Sequence, residues 1–178
     1  MNKPIRNVTI FGTGMMGSGL AQVFASDENI KVTISTRSVT NSKAIENIKT
    51  NLKPFIDKGI YTEEYAKGHL NRVELTDNRQ AATKEADFIM ECIPEDMKMK
   101  QELFADLENY CREDTIFATN TSVMSITEIA KKSRKKDRIV GAHFWNPPYL
   151  IPLVEVVKAD ETSDETMTST MELLKRVG

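Results

Sequence analysis

The sequence IFGTGMMGSG at residues 10–19 decides the predicted fold, because Gly12, Gly14 and Gly17 form a G-x-G-x-x-G pattern between an apolar run and a helical one. In such a turn Gly12 permits a tight bend, Gly14 lets the backbone approach a pyrophosphate, and Gly17 allows close helix–strand packing. The helix N-terminus offers free N–H groups and the positive end of its dipole to phosphate. We therefore predict a dinucleotide-binding turn, the alternative being a glycine-rich turn without a ligand.

Outward from this turn, short apolar runs alternate with helical patterns. Strands are predicted at Asn7–Phe11, Ile30–Ser35, Arg72–Leu75, Asp87–Glu91, Thr115–Thr119, Arg138–His143 and Leu153–Val157. Helices are predicted at Met15–Ser26, Arg79–Glu85, Met97–Cys111, Ser125–Lys132 and Ser163–Val177, with a longer helical segment at Ser38–Leu70. Strand–helix alternation of this kind predicts an α/β fold with a doubly wound, mostly parallel sheet.

The connection between the second and third strands is unusually long, about 35 residues against the few of an ordinary loop. Its apolar residues recur at helical spacing, Pro54 falls inside that pattern, and Gly59 supplies a turn. We expect a helical hairpin that projects from the sheet. It is either a plain insertion or an arm that contacts a ligand.

Composition bounds the class of protein. The chain has 178 residues, of which 40% are apolar and 28% charged, as in one soluble globular domain. A net charge of −2 argues against nucleic-acid binding, which needs a basic excess. No apolar run reaches the length of a membrane span, and MNKPIRNVTIFG indicates a strand rather than a signal peptide. Cys92 and Cys111 lack metal-ligand or disulfide spacing. We predict a cytoplasmic protein with free thiols and no metal, nucleic-acid or membrane partner.

Cofactor preference is encoded where the second predicted strand ends. An Asp or Glu at this point binds the ribose 2′-hydroxyl of NAD. Here the sequence is VTISTRS, with Thr36 and Arg37 in place of the acid. Arg37 could bind a 2′-phosphate through charge-assisted hydrogen bonds, which favours NADP. The alternative is an exposed Arg37 and NAD binding without the acid.

His143 and Glu155 are the candidate reactive pair. His143 lies at the C-terminal end of a predicted strand, the edge where doubly wound sheets bind ligands. Glu155 lies inside the apolar pattern PLVEVV, where a buried carboxylate without a partner would be costly. We expect Glu155 to fix the tautomer of His143 and raise its basicity. Such a histidine can take a proton from an alcohol while hydride leaves for a nicotinamide. A histidine that only caps the strand is the alternative.

Four ordered stretches carry a family resemblance: GTGMMGSGLAQVFA, ECIPEDMKMKQELFADL, ATNTSVMSITEIA and GAHFWNPPYLIPLVEVV. The chain resembles, end to end, the Rossmann-type N-terminal NAD(P)-binding domain of L-3-hydroxyacyl-CoA dehydrogenases, including bacterial 3-hydroxybutyryl-CoA dehydrogenases. The resemblance implies an oxidoreductase of fatty acid metabolism that reversibly oxidises a short (S)-3-hydroxyacyl-CoA to the 3-oxoacyl-CoA. Gulonate and carnitine dehydrogenases, which act on free 3-hydroxy acids, are similar but typically have proline in place of Phe144. A non-catalytic dinucleotide-binding module is a further alternative.

The resemblance assigns roles to matching residues. It implies a catalytic dyad of His143 and Glu155, with Ser122 hydrogen-bonding the substrate oxygen and Asn146 orienting substrate and nicotinamide. Lys58 aligns with a lysine of the hairpin that meets the coenzyme A phosphates. The implied contacts to NAD or NADP are Gly12, Gly14, Met15, Met16, Gly17, Thr36, Arg37, Glu95, Lys100 and Asn120.

Several positions depart from the family pattern. Thr36 replaces the acid that binds the ribose, and Pro94 replaces a small aliphatic residue beside Glu95. The family continues beyond LLKRVG into an all-helical domain that dimerises and closes over the substrate. We therefore expect residues 1–178 to be the dinucleotide-binding domain without that helical domain. His69, in the polar stretch AKGHLNR, is predicted to lie on the surface.

Overall fold

The structure is a computed structural model that describes residues 4–178 and confirms the predicted α/β fold. The strands are β1 (Asn7–Phe11), β2 (Lys31–Ser35), β3 (Val73–Thr76), β4 (Phe88–Glu91), β5 (Ile116–Thr119), β6 (Ile139–Phe144) and β7 (Val154–Lys158). The helices are α1 (Met15–Phe24), α2 (Ala44–Asp57), α3 (Glu63–Asn71), α4 (Arg79–Thr83), α5 (Met97–Leu107), α6 (Ile126–Ile129) and α7 (Asp164–Val177). Short 3₁₀ turns cover Ala130–Lys132 and Lys136–Arg138.

The strands form one sheet in the order β3-β2-β1-β4-β5-β6-β7. All neighbouring strands are parallel except β6 and β7, which are antiparallel. Because the strand order reverses at β1, the carboxyl ends of β1 and β4 open a crevice between them, the usual ligand position in such sheets.

Both faces of the sheet are covered, which β4 illustrates. Successive side chains of β4 point to opposite faces of the sheet, and all four are buried because each face is covered. Phe88 and Met90 join a core with Phe24 of α1, whereas Ile89 joins a second core with Phe104 of α5. This two-sided packing fixes α1 and α5 relative to the carboxyl edge of the sheet.

The predicted hairpin is present between β2 and β3. The segment predicted as helical over residues 38–70 divides into α2 and α3, separated by a turn in which Gly59 has a φ of +68°. Pro54 lies in the last turn of α2. The Thr62 hydroxyl accepts a hydrogen bond from the Tyr65 N–H and caps α3.

The prediction that His69 lies on the surface is wrong, because its side chain is only 1% exposed. Residues four apart share one face of a helix, and on α3 this brings the His69 ring against Tyr65, with 4.6 Å between ring centroids. Tyr61 also lies against the ring, and His69 Nδ1 lies 3.0 Å from the Tyr65 carbonyl oxygen. Burial lowers the pKa of His69 below its ordinary value, which disfavours the protonated ring.

Among residues 4–178, none of the helices combines the length and the apolar character that a membrane crossing requires.

Candidate functional site

A cleft of about 1430 Å³ opens along the carboxyl edge of the sheet. This volume exceeds the roughly 300–1,000 Å³ typical of sites for drug-sized ligands, and suits a dinucleotide. The cleft brings together most of the residues predicted from the sequence: Gly12, Gly14, Met16, Thr36, Arg37, Glu95, Lys100, Asn120, Ser122, His143 and Asn146. Gly17, Met15 and Glu155 do not line the cleft but contact residues that do, namely Gly12, Asn146 and His143 respectively.

The glycine-rich turn has the geometry that a phosphate cradle needs. Gly12 has a φ of +124°, and a Cβ at Gly17 would lie 2.0 Å from the Gly12 carbonyl oxygen. At Gly14, by contrast, a Cβ would find no protein atom within 4 Å, so the backbone here is open to the cleft. Helix α1 begins at this point without a side-chain cap or an acidic residue in its first turn. Its free N–H groups and positive dipole end therefore fit the pyrophosphate of a dinucleotide.

One end of the cleft carries the side chains that face an adenosine ribose in such folds. Arg37 is exposed and, within the described part of the chain, its guanidinium has no ion pair. The Thr36 hydroxyl lies 3.2 Å from the Ser38 carbonyl oxygen, which tightens the turn after β2. Asp77, which follows β3, lines the same cleft and was not predicted from the sequence. The sequence carries no local signal for this position, because Asp77 reaches the cleft only through the pairing of β3 with β2.

Lys100 lies beneath the floor of the cleft, with 1% of its side chain exposed. Its ammonium is 2.6 Å from Glu91 Oε1, 3.2 Å from Glu95 Oε2 and 3.3 Å from the Ile93 carbonyl oxygen. Glu91 is fully buried and also accepts hydrogen bonds from the Thr119 hydroxyl and the Ile93 N–H. Sequence reasoning missed the role of Glu91, although a glutamate inside the buried strand FIME was the available signal.

Glu95 faces the cleft, with 42% of its side chain exposed. One carboxylate oxygen accepts hydrogen bonds from the Thr121 hydroxyl at 2.8 Å and from the Ser122 N–H at 3.0 Å. Partial burial alone would raise the pKa of Glu95, but the Ser122 N–H, the Thr121 hydroxyl and the Lys100 ammonium together lower it. Glu95 is therefore a carboxylate held in place beside Ser122, which is predicted to contact the substrate.

The predicted dyad is formed across the antiparallel strand pair. His143 and Glu155 are register partners in β6 and β7, and His143 Nδ1 lies 2.7 Å from Glu155 Oε2. Hydrogen bonds from His143 and from Trp145 lower the pKa of Glu155. Because this ionised carboxylate only accepts, Nδ1 carries the proton, and Nε2 is left as the acceptor.

The expectation that Glu155 is buried is wrong. Its side chain is 52% exposed, against 23% for His143, because β7 is the edge strand and one face of it meets solvent. The pairing itself is as predicted.

The loop after β6 is anchored on both sides. The Asn120 amide oxygen accepts a hydrogen bond from the Phe144 N–H at 2.9 Å. The Asn146 amide nitrogen lies 3.5 Å from Met15 Sδ. The buried Phe144 ring packs edge-on against a phenylalanine of α1, while Trp145 is exposed beside His143. This loop therefore holds Asn146 on the same wall of the cleft as His143.

Lys58 is the predicted site residue that the structure places elsewhere. It is exposed at the end of α2, in the turn of the hairpin, and does not line the cleft. Within residues 4–178 there is also no group of three or more His, Cys, Asp or Glu side chains suited to a metal ion. Both cysteines are free thiols.

The chain matches a known protein family and several curated proteins. The family described as 3-hydroxyacyl-CoA dehydrogenase, NAD binding domain, matches residues 7–178. A mitochondrial hydroxyacyl-coenzyme A dehydrogenase of Sus scrofa is 34% identical over 98% of this chain and 57% of its own length. A 3-hydroxybutyryl-CoA dehydrogenase of Clostridioides difficile is 36% identical over 96% of this chain and 60% of its own length. The chain thus spans about three fifths of the length of these two relatives.

Solved structures give the same result. A 3-hydroxybutyryl-CoA dehydrogenase of Escherichia coli K12 superimposes with a TM-score of 0.93 at 33% identity, over 99% of this chain and 37% of that one. An (S)-3-hydroxybutyryl-CoA dehydrogenase of Ralstonia eutropha has a TM-score of 0.93 at 31% identity, over 98% of this chain and 61% of that one. The chain belongs to the 3-hydroxyacyl-CoA dehydrogenase family, and residues 7–178 are its NAD-binding domain.

Proposed function

We propose that the protein catalyses the reversible oxidation of a short (S)-3-hydroxyacyl-CoA to the 3-oxoacyl-CoA. The observation that carries this proposal is the 2.7 Å hydrogen bond between His143 and Glu155 on the wall of a cleft that also contains the glycine-rich turn. A base and a dinucleotide cradle in one cleft suit the removal of a proton and a hydride from the same alcohol. The relatives are named for hydroxyacyl-CoA and 3-hydroxybutyryl-CoA substrates.

The residues of this chain have distinct tasks in that reaction. His143 Nε2 takes the proton of the 3-hydroxyl group, while Glu155 stabilises the charge that develops on the ring. The Ser122 hydroxyl and the Asn146 amide hold the substrate oxygen near Nε2. The Gly14 backbone, the N-terminus of α1 and Glu95 would hold the nicotinamide cofactor, which when bound would supply the hydride acceptor.

The presence of phenylalanine rather than proline at residue 144 favours a thioester substrate over a free 3-hydroxy acid. The Phe144 N–H donates to the Asn120 amide oxygen, and a proline, which the free-acid dehydrogenases typically carry here, could not make this bond. The exposed Lys58 in the hairpin turn is the candidate contact for coenzyme A phosphates, outside the cleft itself. For the cofactor we propose a preference for NADP over NAD, supported by the exposed Arg37.

The test is acetoacetyl-CoA reduction by a protein in which the all-helical domain of a relative follows residue 178. It is measured as the loss of reduced-cofactor absorbance, with free acetoacetate as the comparison substrate. His143→Gln should abolish turnover while the cofactor dissociation constant stays within a few fold, because the phosphate cradle is separate from the dyad. Glu155→Gln should lose a large factor in kcat, and Glu165→Gln on α7 is the matched control. Full activity of His143→Gln would remove the mechanism, and preference for free acetoacetate would favour the free-acid dehydrogenases.

A further inference from the structure

Lys100 and Glu91 form a buried ion pair beneath the cleft. We propose that Lys100 and Glu91 are positioning residues that fix the Glu95 carboxylate, and that Glu95 in turn sets the position of Ser122 and couples it to the bound cofactor. This inference rests on the proposed function, in which Ser122 contacts the substrate oxygen.

The ammonium group of Lys100 is engaged within the protein. An ammonium group has three N–H donors, and its nitrogen lies within hydrogen-bond distance of three acceptors: Glu91 Oε1, Glu95 Oε2 and the Ile93 carbonyl oxygen. Only 1% of the Lys100 side chain is exposed, against 42% of the Glu95 side chain, so a dinucleotide has far more access to Glu95. Lys100 therefore acts on the cleft through Glu95.

Glu91 supplies the counter-charge that lets Lys100 lie there. A single buried charge without a partner costs several kcal/mol, whereas a buried pair with satisfied hydrogen bonds is tolerated. Glu91 has both oxygens engaged, one by Lys100 and the Ile93 N–H, the other by the Thr119 hydroxyl at 2.6 Å. Glu91 thus holds the ammonium on β4, at a fixed distance from the loop that carries Glu95.

Glu95 joins the two ligand sites. A carboxylate offers about four lone-pair positions. Three donors already reach Glu95, namely the Ser122 N–H, the Thr121 hydroxyl and the Lys100 ammonium. The remaining position is on the exposed part of the side chain and is available to a hydroxyl group of the dinucleotide. When that hydroxyl binds, it restrains the same carboxylate that holds the Ser122 backbone.

A purely structural ion pair would tie α5 to β4 and affect only stability. The positioning role predicts instead that cofactor binding raises substrate affinity. This linkage should be lost when the contacts that join Lys100, Glu95 and Ser122 are broken. The effect of bound cofactor on substrate affinity therefore distinguishes the two roles.

The informative variant is Glu91→Gln with Lys100→Met, because removing both charges together leaves no unpaired buried charge. Lys98→Met, an exposed lysine on the same helix, is the matched control. Glu95→Gln is a second variant that keeps the size of the side chain and removes the ion pair with Lys100. All are made in the same protein with the added helical domain. Melting temperature, KM and kcat for acetoacetyl-CoA, and the dissociation constant of the oxidised cofactor with and without acetoacetyl-CoA are measured on each.

We expect KM for acetoacetyl-CoA to rise about tenfold in the double variant and in Glu95→Gln, which corresponds to ~1.4 kcal/mol. Amide hydrogen exchange at Ser122 should accelerate in both, with and without cofactor, because its acceptor is displaced. Lys98→Met should match the wild type in every measurement. A lower melting temperature with unchanged KM and unchanged exchange at Ser122 would overturn the inference. Failure of the wild-type protein to reduce acetoacetyl-CoA would instead reject the proposed function. The positioning of Ser122 could still be judged in that case, because hydrogen exchange at Ser122 is measured without turnover.

Discussion

At the scale of single residues, cofactor preference depends on the two side chains after β2. Arg37 is exposed at the cleft and can form charge-assisted hydrogen bonds with a 2′-phosphate, each worth about 1.5–3 kcal/mol. Thr36→Asp with Arg37→Ile should therefore shift preference toward NADH by about tenfold or more. Fluorescence titration with NADH and NADPH measures this, with Arg134→Ile as a control for a surface arginine outside the cleft. If the unaltered protein already binds NADH more tightly, Arg37 does not select the cofactor.

Substitutions at two glycines of the glycine-rich turn should affect cofactor binding and folding stability separately. Gly14 has a φ of −73° and no protein atom near the position of a Cβ, so Gly14→Ala should fold as the wild type does. Its methyl group would occupy the space of the pyrophosphate, and cofactor affinity should fall at least tenfold. Gly17→Ala places a Cβ 2.0 Å from a backbone oxygen and should lower the free energy of unfolding by about 1–3 kcal/mol. Urea unfolding and NADH titration on both variants check this; wild-type affinity in Gly14→Ala would place the pyrophosphate elsewhere.

At the scale of elements, helix α3 gives the fold a pH dependence through His69. Burial lowers the pKa of His69, so below an ordinary pKa near 6.5 the unfolded chain binds a proton that the folded chain excludes. Stability should therefore be complete above about pH 7 and fall below pH 6.5, with a slope of up to about 1.4 kcal/mol per pH unit. His69→Phe cannot titrate and should flatten this dependence between pH 6.5 and 5.5 in urea unfolding. An equal slope in both proteins would mean that His69 accepts the proton in place.

The elements themselves were predictable because each carries a local pattern. The glycine turn, the hairpin and the order His143–Glu155 all follow from residues close together in the chain. The wrong predictions concern burial: His69 lies in a polar stretch but is covered by Tyr61 and Tyr65, and Glu155 lies in an apolar stretch but on an edge strand. The Glu91–Lys100 pair was missed for the same reason. Whether a charge finds a partner depends on which strand and helix the fold brings together, and the local pattern does not contain that information.

At the scale of the whole molecule, cofactor binding and turnover should separate in the 178-residue chain. The phosphate cradle, Arg37 and Glu95 all lie on one cleft within these residues, so calorimetry should detect NAD(P)H binding to the chain alone. Turnover should be very low, because the half-exposed Glu155 shows that water has access to the dyad, and hydride transfer needs a closed site. Near-normal acetoacetyl-CoA reduction by a monomeric 178-residue chain on a sizing column would show that the cleft closes without further chain.

The pairing of β6 with β7 also constrains how this protein can change over evolutionary time. His143 and Glu155 are opposite each other only because the connection between the strands has its present length. In a strand, side chains alternate between faces, so a one-residue deletion in residues 145–153 would turn Glu155 away from His143 while leaving the sheet intact. Away from Asn146, substitutions in that loop preserve the pairing of His143 with Glu155, whereas single-residue insertions and deletions do not. Among uncharacterised sequences of this family, a His–Glu spacing that differs by an odd number marks candidates for folded proteins that have lost the reaction.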